Sequence, residues 1–137
     1  MCLSVTFRCE EKSISEVERE FQDGSTLFVA AKTAAWKQKK SDTFNVSDLP
    51  GGKACACGLL DEGSSWETDT WAFNPALLPL LRSTVFRFHQ VSKGNFTFDA
   101  AWSRKEPSNV VNVTIKELTS LIEGNRIGTN VRYQVGR

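Results

Sequence analysis

The sequence predicts an α+β fold, a single antiparallel or mixed sheet with two or three helices packed mainly on one face. Three observations predict it. Residues 84–91 and 96–102 alternate apolar and polar side chains on either side of Ser92-Lys93-Gly94-Asn95, and period two is the mark of a half-buried strand. Ser13-x-x-Glu16 and Thr114-x-x-Glu117 each match a capping box and precede apolar residues at helical spacing. No evenly spaced β-α-β units recur, which favours antiparallel or mixed pairing with helices segregated to one side.

In chain order, Leu3, Val5, Phe7 and Cys9 alternate with Ser4, Thr6 and Arg8 and predict a first strand. Ile14, Val17 and Phe21 share one face of a following helix, which Asp23-Gly24 ends. Thr26 to Ala31 reads as a second strand, and residues 30–40 stay open between helix and strand. Ser41 to Gly52 is polar and reads as a loop, and Lys53 to Leu60 as a strand carrying Cys55, Cys57 and Leu59 on one side. Asn74-Pro75 starts a helix, since Asn caps and Pro tolerates the first position. Pro79 limits it to a short or kinked Ala76–Arg82 segment. Thr84 to Trp102 then predicts a β-hairpin whose Phe86, Phe88, Phe96, Phe98 and Trp102 make the dry centre of the protein. Ile115, Leu118 and Ile122 line the last helix before Gly124, and Ile127 to Val135 is a final strand.

A chain of 137 residues is expected to form one domain, 1–137, that buries about two-thirds of its unfolded surface without a metal or disulfide. The near-zero net charge of +1 hides blocks, among them residues 61–81 with four acids and no Lys or Arg. No basic block is dense enough for nucleic acid, and no apolar run approaches a membrane span of about 20 residues. The start, MCLSVTFRCEE, lacks a basic n-region, so the expected location is cytoplasmic. No cofactor is expected.

The candidate ligand-binding residues are Asp61, Glu62, Trp66, Glu67, Asp69 and Trp71, with His89. The first six crowd four carboxylates and two indoles into eleven residues. Indole faces attract cations and stack on sugars, and paired carboxylates are the apparatus of glycoside hydrolysis. An acidic surface loop with its Trp residues folded onto the core accounts for the same residues. His89, the only histidine, is a candidate base, but no nucleophile motif accompanies it. Cys55-x-Cys57, with Cys2, Cys9 or His89, is half a thiolate metal site. In an extended strand its Cα atoms stand about 6.5 Å apart, unlike the curled spacing of a zinc knuckle, and buried small hydrophobes explain the cysteines equally.

The expected function is a non-catalytic binding or interaction module for a small-molecule ligand or a protein partner, with a homo-oligomer among the possibilities. A small hydrolase using the carboxylates of residues 61–69, with or without His89, is the alternative. A thiolate metal or redox protein comes third.

Overall fold

A computed structural model describes residues 3–21, 28–31, 43–47, 56–68, 70–102 and 107–136, with backbone alone for 28–31 and 47. Six strands form one sheet: β1 (Leu3–Cys9), β2 (Phe28–Ala31), β3 (Thr43–Ser47), β4 (Phe96–Trp102), β5 (Asn109–Val113) and β6 (Val131–Val135). Their order is β2-β3-β1-β4-β6-β5. Every pair is antiparallel except β5 with β6. Three helices, α1 (Ile14–Glu20), α2 (Leu78–Val91) and α3 (Ile115–Glu123), complete the α+β fold. The parallel pair exists because β5, α3 and β6 form one β-α-β unit, a crossover that parallel neighbours require.

Register decides which side chains meet. Val5 lies opposite both Val46 and Ala100, and Phe7 opposite both Phe44 and Phe98, while Tyr133 continues that row on β6. These residues, with Leu3, Phe96 and Val135, are buried and face the helix layer. Leu81, Thr84, Val85 and Phe88 come down onto them from α2. Phe88 stacks on Phe7 at 4.7 Å and also meets Phe21, Phe44 and Phe96. Burying one such ring contributes about 1.5–3 kcal/mol, and edge or offset contacts add about 0.5–1.5 kcal/mol per pair.

The opposite face is polar, as an antiparallel sheet with one helical layer allows. Asn45, Thr6, Asp99 and Arg132 form one cross-strand row, and Thr43, Arg8, Thr97 and Gln134 the next. Arg132 Nε donates to Asp99 Oδ2 at 3.3 Å, and Arg8 Nε to Thr43 Oγ1 at 3.3 Å.

The hairpin expected over residues 84–102 is half right. Its second strand is β4, but residues 84–91 are the C-terminal part of α2. Leu78, Leu81, Val85 and Phe88 recur at intervals of three and four, and that helical stripe outcompetes the two-residue spacing of Phe86 and Phe88. Of the five rings expected at the dry centre, Phe88, Phe96 and Phe98 are there, Trp102 is half-buried at the margin, and Phe86 faces outward. Pro79 does not shorten the helix, because it lies in the first turn, where its missing N–H has no intrahelical acceptor. A 3-10 turn, Pro75–Leu77, precedes it, with Asn74 Oδ1 accepting from Ala76 N at 3.0 Å.

Other elements differ too. β3 lies inside the segment expected as a loop, and β5 has no counterpart among the expected strands. Cys57–Leu59 is a 3-10 turn instead of a strand; Gly58 breaks the alternation, and Ala56 N bonds to Leu3 O at 2.8 Å instead of joining a ladder. The final strand begins at Val131, not Ile127. Ser13 makes no side-chain cap, whereas Thr114 does, its hydroxyl accepting from Glu117 N at 3.1 Å. Of the stretch open between helix and strand, residues 30 and 31 end β2 and residues 32–40 lie outside the described residues.

Candidate functional site

With its inner stripe committed to the core, α2 turns a second stripe outward: Arg82, Ser83, Phe86, His89 and Gln90. Arg87 is drawn sideways to α1. Its Nη2 donates to Glu20 O at 2.7 Å and meets Oε1 at 3.0 Å, and its guanidinium stands 5.0 Å from the Phe21 ring. Phe86 is 39 % exposed although Phe88 is fully buried. A large ring left at the surface of a helix whose core is already filled is the feature the outer face is built around.

Phe86 is the wall shared by two open depressions. One, of about 550 Å³, is lined by Phe86, His89, Gln90, Lys93 and Gly94. The other, of about 660 Å³, lies between Phe86 and the start of the helix, with Pro75, Pro79, Arg82 and Glu123 among its lining residues. Arg82 stands 5.6 Å from the Phe86 ring centroid and pairs with Glu123 of α3 at 3.5 Å. His89 is half-buried and meets the edge of Phe96 at 6.2 Å.

The end of α2 shapes the first depression. Ser92 N and Gly94 N bond back to Phe88 O at 2.9 Å and His89 O at 2.8 Å, which satisfies carbonyls that a helix end otherwise leaves open. Lys93 and Gly94 both take positive φ, 59° and 76°. Glycine does so freely, and lysine only at a cost the surrounding turn must outweigh. This reversal brings Lys93 to the same depression as Phe86 and His89.

The acidic stretch forms a small braced turn. Leu60 bridges Phe73 and Ser65 bridges Thr70, and Asp61 Oδ1 accepts from Glu62 N at 3.0 Å. Trp71 is half-buried and meets Phe73 edge-on at 5.1 Å, so its indole belongs to the core margin. Trp66 is 45 % exposed. Asp61, Glu62 and Glu67 are exposed and line neither depression beside Phe86, and Asp69 lies outside the described residues. His89 and the described carboxylates of the acidic stretch therefore line no common depression beside Phe86. Of the cysteines, Cys9 is buried and Cys57 exposed, while Cys2 and Cys55 lie outside the described residues. Among the described residues no group of three or more His, Cys, Asp or Glu is placed to hold a metal, and no helix is long and apolar enough to cross a membrane.

Of this surface, the sequence singled out His89 alone. Phe86, Arg82 and Gln90 become visible as a group only when residues 78–91 are read with a period of 3.6, which puts Phe86 opposite the Leu81, Val85 and Phe88 stripe, and Lys93 joins them only through the turn that follows. Comparison with protein-family models, with characterised proteins and with solved structures finds no match to this chain.

Proposed function

We propose that this protein is a non-catalytic binding module whose outer α2 face takes a small aromatic or apolar anion beside Phe86. The observation that carries the proposal is the exposed Phe86 ring at the border of two depressions, with Arg82 on one side and His89 and Lys93 on the other. Sites for small molecules are concave, of about 300–1,000 Å³, largely apolar, with a few polar groups that fix orientation. Here the ring supplies apolar contact, the Lys93 ammonium supplies a donor for a carboxylate, and the Gln90 amide supplies a neutral donor and acceptor. These are groups that hold and orient a ligand, which favours binding over reaction.

Indole-3-acetate and 4-phenylbutyrate are suitable probes, with acetate as the control, followed by amide and side-chain NMR shifts. The expected result is saturable shifts centred on Phe86, His89 and Lys93 for the aromatic acids alone. Phe86→Ala should weaken them about tenfold, the loss of one buried aromatic contact of roughly 1.4 kcal/mol. Shifts that fail to saturate, or that survive Phe86→Ala unchanged, would remove the reading.

A further inference from the structure

We infer that β5 is a dimerisation edge, on which a second copy of this chain adds its own β5 antiparallel about a two-fold axis at Val111. The inference concerns a different surface from α2 and does not depend on what binds there.

β5 is the last strand of the sheet. Asn109 lies opposite Val131, and its N–H donates to Asn130 O at 3.4 Å. In a parallel ladder that register sends the peptide groups of Asn109, Val111 and Val113 toward β6. The N–H and C=O of Val110 and Asn112 point away from the sheet, and no described residue lies beyond them to take them. Such an edge templates another strand unless it is blunted by charge, proline or a bulge. None of these occurs within Asn109–Val113. Instead, Val110 is 64 % and Val111 43 % exposed.

The strand's own composition selects a second copy as the occupant. Antiparallel pairing about Val111 sets Val110 opposite the partner's Asn112, twice, so that the two outward-pointing residues of each strand exchange hydrogen bonds with each other. Val111 then meets its own symmetry mate at a non-hydrogen-bonded position, where side chains come closest. The two Val110 side chains become diagonal neighbours on the other face. With no charged residue among 109–113, self-pairing brings no like charges together. The contact uses the same patch on both copies and therefore closes as a pair instead of growing into a filament. One five-residue strand pair falls at the small end of specific interfaces, below about 1,200 Å², so a dissociation constant on the order of 100 µM is expected.

Sedimentation of the full chain from micromolar to millimolar concentration tests the inference. A monomer–dimer equilibrium is expected, weakened at least about tenfold in Val111→Lys, which sets two ammonium groups face to face at the axis. In Val111→Cys the two new thiols stand on Cα atoms about 4.5 Å apart, within disulfide reach. Mild oxidation should then yield a dimer linked through position 111, identified by peptide mass against the native cysteines. A monomer throughout the range, a dimer indifferent to Val111→Lys, or a Val111→Cys variant that does not cross-link to itself would each overturn it. Val111→Cys changes little in size or polarity, so its result stands even where Val111→Lys fails to fold.

Discussion

Phe86 and Phe88 stand two residues apart, and their different fates follow from helical geometry alone. Two residues on a helix are separated by about 200°, so one ring must leave any surface the other enters. Phe88 sits among Phe7, Phe21, Phe44 and Phe96 with no exposed surface. Truncating it removes those contacts and leaves a cavity, so Phe88→Ala should cost about 3–5 kcal/mol in urea unfolding. Phe86→Ala, at the surface, should stay within about 0.5 kcal/mol, apart from the small contribution of Arg82 over its ring. Comparable losses at the two positions would contradict the helix and restore a shared aromatic face. The two-residue spacing of the rings is visible in the sequence, but a helix that faces one ring inward and one outward carries the same spacing. Only the Leu81–Val85–Phe88 stripe separates the readings.

At the scale of elements, α2 shows why a proline is a poor guide to helix length. Pro79 counts against a helix only when a full α-helical turn precedes it, and here the α-helix starts one residue before it, after a 3-10 turn. The sign of Pro79→Ala therefore discriminates. A proline interrupting a helix would cost about 3 kcal/mol, which replacement would return. A proline in the first turn instead restrains the unfolded chain, so Pro79→Ala should destabilise by about 0.4–1 kcal/mol. Asn74→Ala, which removes the cap on Ala76 N, should cost about 1 kcal/mol. Thermal melting of both variants checks the pair, and a rise in stability on Pro79→Ala would place the helix start elsewhere. β1, β4, α1 and α3 are legible in the sequence because their alternation or helical stripe is unbroken, and β3 and β5 are not. Thr43–Ser47 has only Phe44 and Val46 to signal a buried face, among residues otherwise read as turn formers. Asn109–Val113 carries Val on both faces, so it shows no alternation, and pairing with β6 through a crossover is a tertiary fact. The depressions beside α2 are illegible for the same reason, since they depend on which side of α2 the sheet occupies.

The whole molecule grades in stability from the centre of the sheet outward, and exchange of backbone amides reads that grade directly. β1 and β4 are bonded on both sides, β1 by β3 and β4, and β4 by β1 and β6, and they carry the buried Phe7, Phe96 and Phe98. Their amides should open only with global unfolding and exchange slowest. On β5 the register splits the strand into two classes. Asn109, Val111 and Val113 donate toward β6 and should be protected, whereas Val110 and Asn112 donate outward and should exchange nearly as fast as a loop when the protein is dilute. Raising the protein concentration changes nothing in the first class. In the second it should slow exchange at Val110 and Asn112 together, because pairing at the edge occupies both N–H groups in one event. A concentration-independent rate at those two amides, alongside a dimer seen by mass, would mean that the copies meet on another surface. A slow Val110 in dilute protein would mean that the peptide groups of β5 are turned the other way, and the symmetric pairing about Val111 would lose its hydrogen bonds.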